Sequence, residues 1–129
     1  MIVADSDLLI DFLRGKDPGA ARIRLEIATG RLATTAINAF EIMSGARSDN
    51  ERHKVATLLD ALTILPVDEH GAGHAAEDRQ HLERQGAGIG MADYLIAGVC
   101  IHHGAVLLTR NIGHFDRVPR LTLGGRHAV

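Results

Sequence analysis

The sequence predicts an α/β fold in which a mostly parallel sheet carries helices on both faces. Three observations lead there. Short apolar runs at residues 2–4, 31–35, 63–65 and 105–109 recur along the chain as candidate strands. Long helical segments separate them, and crossovers of that length join parallel strands rather than hairpins. An aspartate, Asp5, directly follows the first run, at the strand end where open parallel sheets collect their functional groups.

Each element has a local cause. Strand Ile2–Ala4 runs into a helix over residues 7–14 that Gly15 ends. Asp17-Pro18 supplies an N-cap and a helix-start proline for a helix reaching about residue 29, stopped by Gly30. Residues 31–35 form a short strand, followed by a helix over residues 38–44 that Gly45 closes. Ser48-Asp49-Asn50-Glu51 reads as a capping box for a helix reaching about residue 62. Thr63–Leu65 is strand-like and ends at Pro66. Asp68 caps a long polar helix to about residue 85. Gly86, Gly88 and Gly90 form a loop entering helix Met91–His103, which Gly104 ends. Residues 105–109 are a buried strand and 121–123 a final edge strand. No repeat, low-complexity stretch or linker divides the chain, so a single domain is expected over residues 1–123, with 124–129 as a loose tail.

Composition narrows the class. With 129 residues, 46% hydrophobic and 23% charged, the chain is long enough to bury a core and too apolar to be disordered. No apolar run approaches the roughly 18 residues that span a bilayer. No basic segment precedes the first strand, so no signal peptide is expected. The lone cysteine, Cys100, cannot form an internal disulfide, fits a reducing cytoplasm, and reads as a small buried hydrophobe. A formal net charge of −2 gives no global attraction to nucleic acid, so a nuclease of this charge needs a local basic rim and bound metal. The aromatic residues are only Phe12, Phe40, Tyr94 and Phe115, which argues against a base-stacking platform.

Acids in apolar settings carry the functional signal. Asp5 follows a strand, Glu41 sits in Phe40-Glu41-Ile42-Met43, and Asp93 lies in the apolar segment 89–97. Burying a carboxylate is costly unless it is paired or bound to a cation. Parallel topology collects strand ends on one rim, so the three acids are expected to meet there, and an all-oxygen pocket suits Mg²⁺ or Mn²⁺. Other roles exist for two of them: Asp5 is placed to cap the next helix, and Asp93 is placed in a first helical turn where the dipole favours an acid. His70 and His74 stand four apart on a helix, as in some zinc sites, but no glutamate of that motif lies between them. Gly86-Ala87-Gly88-Ile89-Gly90 has no preceding strand, as a dinucleotide loop requires.

Four segments then resemble one family. Asp5-Ser6-Asp7-Leu8-Leu9 resembles the D-[TS]-[NS]-[VLI]-[LI] opening of PIN-domain ribonucleases, and of VapC-type toxins in particular. The stretch from Thr35 through Glu41-Ile42-Met43-Ser44-Gly45 is similar to their segment ending in E-[LI]-x-x-G. Ile89-Gly90-Met91-Ala92-Asp93-Tyr94-Leu95-Ile96-Ala97 resembles their I-G-x-x-D-x-x-I-A segment. Leu107-Leu108-Thr109-Arg110-Asn111, then Phe115 and Pro119-Arg120-Leu121, resembles their closing segment. The likeness runs in register from Ile2 to about Leu123.

The resemblance implies a PIN-like three-layer α/β/α sandwich and metal-dependent cleavage of RNA phosphodiesters. It implies Asp5, Glu41 and Asp93 as catalytic acids and ligands of Mg²⁺ or Mn²⁺, a cognate antitoxin protein as partner, and a homodimer. There are departures. Asp7 stands where Asn is frequent, His114 stands where a fourth acid is frequent, with Asp116 two positions on, and Arg120 replaces a glycine. Asp7, Asn111, His114 and Asp116 are therefore the candidates to complete a second metal site. Two other readings compete: a catalytically silent PIN module that binds RNA or protein, and a haloacid-dehalogenase-like phosphatase using Asp5 and Asp7. The phosphatase needs a phosphate-clamping lysine, and Lys16 and Lys54 are poorly placed for it.

Overall fold

The computed structural model describes residues 1–125. In chain order its elements are β1 (Ile2–Ala4), α1 (Ser6–Arg14), α2 (Gly19–Ala28), β2 (Leu32–Thr35), α3 (Ala36–Gly45), α4 (Asp49–Asp60), β3 (Thr63–Leu65), α5 (Glu69–Arg84), α6 (Met91–His103), β4 (Val106–Leu108), α7 (Ile112–Phe115) and β5 (Thr122–Leu123). The five strands form one sheet in the order β3-β2-β1-β4-β5, and every pairing is parallel. The chain builds outward from β1 through β2 to β3, then returns to add β4 and β5 on the other side. That reversal leaves a crevice at the carboxyl ends of β1 and β4, the position where open α/β sheets bind their ligands.

Strand periodicity separates the core into two layers. Val3, Ala33, Leu65 and Leu107 face α5, α6 and Phe115 in one cluster. Ala4, Leu32 and Leu108 face Leu8, Leu9, Ile23, Ile42, Val55 and Leu58 of α1 to α4 in the other. Each fully buried leucine contributes roughly 1.5–3 kcal/mol. On the first face α5 and α6 cross closely, because Gly98 rests directly against the Gly71 carbonyl and leaves no room for a Cβ. No helix among the described residues is long and apolar enough to cross a membrane.

Several local expectations shift by a residue or more, each for a visible reason. The first helix starts at Ser6 rather than 7, because Asp5 is its N-cap. Pro18, not Asp17, is the residue before α2, and the Asp17 carboxylate accepts from Ala21 N instead. The third helix starts at Ala36, not 38, because Thr35 and Asn38 form a capping box. The Ser48 box is one-sided: Ser48 Oγ accepts from Glu51 N, but the Glu51 carboxylate accepts from Arg47 N. The short helix α7 was not expected. In the loose tail expected over 124–129, Gly124 N donates to Leu107 O at 2.8 Å, and residues 126–129 lie outside the described residues.

Arg120, in a position where glycine was expected, has φ 67° and so occupies the left-handed region that glycine favours. Its guanidinium reaches Glu77 at 3.4 Å and the buried Asp78 at 3.6 Å, contacts a glycine cannot make.

Candidate active site

Asp5 lies where β1 ends, with only 7% of its surface exposed. Ser6 N donates to its Oδ1 at 2.8 Å, so the helix-capping role is real. The same oxygen accepts from Asn38 Nδ2 at 2.9 Å, and Oδ2 accepts from Thr109 Oγ1 at 2.6 Å. Thr109 follows β4, so the two central strands of the switch point hold one carboxylate between them. Burial pushes the Asp5 carboxyl up to about 6; the Thr109 bond opposes this, and the charges of Asp7 and Asp93 add to it.

Asn38 organises the crevice. Fully buried, it donates through Nδ2 to Asp5 and, at 2.9 Å, to Ser6 Oγ. Its Oδ1 accepts from Thr35 Oγ1 at 2.7 Å. Ser6 Oγ in turn donates to Glu41 Oε1 at 2.7 Å. A continuous line of hydrogen bonds therefore runs from Thr35 through Asn38 and Ser6 to Glu41. Glu41 itself is exposed, and its neighbours Phe40 and Met43 are 64% and 54% exposed. The expectation that apolar neighbours bury Glu41 is therefore wrong: α3 turns that face outward, and Glu41 stands on the rim.

Asp93 lies in the first turn of α6, its side chain 21% exposed, and its Oδ2 is 3.0 Å from His114 Nδ1. Asn111 Nδ2 is 3.1 Å from the same ring nitrogen. Asp7 approaches from α1: Oδ2 accepts from Arg110 N at 2.9 Å, while Oδ1 is buried with no hydrogen-bond partner. Asp116 is the exposed C-cap residue of α7. Arg110 is the basic side chain beside this group, and it grips the buried Asp11 through Nε at 3.1 Å and Nη2 at 3.2 Å.

The arrangement brings Asp5, Asp7 and Asp93 within electrostatic range and links Glu41 to Asp5 through Ser6. It does not close them into a finished coordination shell. Among the described residues, no group of three or more His, Cys, Asp or Glu is gathered to hold a metal ion. The donor chemistry nevertheless fits a hard dication. Asp5 Oδ2 keeps a lone pair beyond its Thr109 bond, Asp7 Oδ1 is an orphaned buried oxygen, and the charges of Asp7 and Asp93 both raise the Asp5 carboxyl.

Other motifs fall away from the crevice. His70 stacks on His102 with centroids 4.9 Å apart, at the far end of α6. Cys100 is buried and its thiol is pushed up to about 12, chiefly by burial and then by the Asp5 charge, which leaves it inert as a nucleophile. Reasoning from sequence missed Ser6, Asn38 and Thr109 as site residues. The Thr35-x-x-Asn38 spacing was the available signal for one of them, since it marks a cap.

A PIN-domain family model matches residues 2–121. The chain belongs to the PIN-domain family. It is 36% identical over 123 residues to Ribonuclease VapC10 of Mycobacterium tuberculosis, covering 94% of this chain and 90% of that protein. It is 29% identical to the tRNA(fMet)-specific endonuclease VapC of Salmonella typhimurium, covering 92% of each. A chain of VapBC2 from Rickettsia felis, solved bound to a promoter DNA fragment, superposes with a TM-score of 0.86 at 26% identity, covering 96% of this chain and 98% of that one. The three-layer α/β/α sandwich of PIN domains is thus the fold of this chain, and the phosphatase alternative built on Asp5 and Asp7 is set aside.

Proposed function

We propose that this protein is a divalent-metal-dependent endoribonuclease whose catalytic acids are Asp5, Glu41 and Asp93. Its likeness to VapC ribonucleases over nine-tenths of their length makes it an RNA-cleaving hydrolase and the toxin of a toxin–antitoxin pair. The observation that carries the site is the buried Asp5 carboxylate at the switch point, held by groups from α1, α3 and the residue after β4 and flanked by Asp7 and Asp93.

Asp5 and Asp93 would hold Mg²⁺ or Mn²⁺, with Glu41 ligating or orienting water. A bound ion supplies neutralisation of the phosphodiester charge and acidification of water. The chain's own residues do the positioning. Asn38 and Thr109 fix both oxygens of Asp5. Ser6 holds Glu41 by one short hydrogen bond, so Glu41 keeps a defined place although exposed. Arg110, held by Asp11 through Nε and Nη2, is a half-exposed guanidinium beside the acids that would meet a backbone phosphate.

A cavity of about 280 Å³ lies between α1, α3 and α4, with Ile10, Leu13, Ile42 and Val55 as its apolar lining and Arg14, Glu41, Glu51 and Lys54 as its charged lining. It suits an apolar segment of the cognate antitoxin carrying a basic side chain toward Glu41. The exposed Phe40 and Met43 on α3 suit the homodimer. A cytoplasmic location fits an RNA substrate and a single buried, unpaired cysteine. The test is to incubate RNA with wild type and Asp5→Asn, with Mn²⁺ or Mg²⁺ and with chelator, and to sequence the new 5′ ends. Ends that need both metal and Asp5 support the reading. RNA binding without new ends would indicate a silent binding module instead.

A further inference from the structure

Arg110 is fixed at both ends. Its backbone N–H donates to Asp7 Oδ2 at 2.9 Å, and its guanidinium meets Asp11, Nε to Oδ2 at 3.1 Å and Nη2 to Oδ1 at 3.2 Å. Asp7 and Asp11 stand four apart in α1, so one face of that helix supplies both grips. The Asp11 side chain is only 7% exposed. The start of α2 walls it in: a Cβ on Gly19 would stand 2.6 Å from Asp11 Oδ2. The carboxylate therefore has one position, and so does the guanidinium edge it holds.

A buried ion pair is weak evidence for stability, because desolvation offsets much of the attraction. This pair does supply orientation. A guanidinium carries five N–H donors in a rigid plane. Asp11 takes the edge formed by Nε and Nη2. The other edge, with both hydrogens of Nη1 and the second of Nη2, points away from Asp11 on a side chain that is 47% exposed. Two parallel N–H groups there match two non-bridging oxygens of a phosphate. The preceding residue, Thr109, donates to Asp5, so one peptide unit ties this edge to the candidate catalytic carboxylate. Asp11 stands six residues beyond Asp5, roughly 9 Å along α1. The guanidinium is thus held aside from Asp5, at a place for a neighbouring phosphate rather than the reacting one. In a chain of net charge −2, such a local cation is what attraction for a polyanion needs.

We propose that Asp11 is a positioning residue, which clamps the inner edge of the Arg110 guanidinium so that the outer edge binds a phosphate adjoining the scissile one. This rests on the ribonuclease reading above and adds how the RNA backbone is held in register with Asp5.

The test uses an oligoribonucleotide spanning a cut mapped from the new 5′ ends. Phosphates flanking the cut are replaced one at a time by neutral methylphosphonates, with a 2′-O-methyl sugar at that linkage in both the neutral and the charged substrate. For the wild type, one such replacement is expected to lower kcat/KM by roughly tenfold or more. Arg110→Lys keeps a cation for Asp11 but has no second edge, so most of that loss is expected to disappear. Asp11→Asn keeps the volume beside Gly19 and the Arg110 charge but frees the guanidinium, and the loss is expected to shrink likewise. The loss is a ratio taken within each variant, so the fraction of folded protein cancels. If the pair only braces α1 against the end of β4, both variants lose stability yet keep the full loss at the neutral linkage, and that result overturns the proposal. A loss that disappears in Arg110→Lys but stays whole in Asp11→Asn overturns the role of Asp11. A wild type indifferent to every neutral linkage overturns the phosphate contact as well, and each of these results leaves the ribonuclease reading standing. Absence of metal-dependent cuts by the wild type overturns both.

Discussion

Asn38 Nδ2 donates to Asp5 Oδ1 across 2.9 Å from a side chain with no solvent exposure. The bond joins the capping box of α3 to the end of β1, 33 residues away. Through it the start of α3 and the end of β1 cannot move independently, and the conformation of the candidate catalytic carboxylate depends on a residue that touches no substrate.

Replacing Asn38 should therefore damage both fold and activity. Asn38→Leu removes partners from Asp5, Ser6 and Thr35 and is expected to cost roughly 1–3 kcal/mol per buried group left unsatisfied. Asn38→Asp places a second carboxylate against Asp5, so its loss of stability should be larger at pH 7 than at pH 5. Urea unfolding at the two pH values reads both effects, and RNA cleavage reads the loss of function.

Asp5 makes metal-free stability depend on pH. Its folded carboxyl titrates near 6 against an ordinary value of 3.8, so between these values the folded state holds the extra proton. The Asp5 contribution to stability is then highest below about pH 4, falls as pH rises to about 6, and is flat above. The total change is on the order of 3 kcal/mol. Asp5→Asn should abolish this dependence. Its amide can accept from Ser6 and Asn38 and donate to Thr109 Oγ1, so the network survives. Without metal at pH 7 to 8 the variant should melt above the wild type while cleaving no RNA. A variant that melts lower across the whole range would show that the charge itself holds the fold.

Glu41 should behave differently, because it is exposed and held by one bond from Ser6. Glu41→Gln is expected to shift stability by no more than about 0.5 kcal/mol, while cleavage is largely lost. Ser6→Ala should leave the carboxylate chemistry present but loosely placed, so activity falls less than in Glu41→Gln. Parallel melting curves and single-turnover cleavage rates distinguish positioning from chemistry.

Gly98→Ala tests the packing that carries Asp93 to the crevice. A Cβ at Gly98 would collide with the Gly71 carbonyl, and the neighbouring obstacle is backbone of α5, which cannot swing aside. A loss of roughly 1–3 kcal/mol is expected from overpacking, measured by denaturant unfolding. Because α6 must shift as a unit, Asp93 should move with it and cleavage should fall further than stability alone accounts for.

Sequence alone determined the alternation of strands and helices, the parallel sheet and most helix ends, because these rest on local effects: apolar runs, caps such as Asp68, and glycines at Gly15 and Gly104 that take left-handed φ. It also placed Asp5 at a strand end, since the acid directly follows the apolar run. Tertiary structure decided what local pattern does not encode. The strand order places β1 beside β4, whose pairing spans about a hundred residues, so only folding could show Thr109 holding Asp5. Glu41 stands among apolar neighbours in sequence yet lies on an exposed rim, because the face a helix buries depends on what packs against it. Asn38 reads as an ordinary polar residue until the crossover brings Asp5 and Ser6 to its amide. Hydrogen bonds between distant elements have no period and leave no mark in sequence, and the candidate site is made mostly of them.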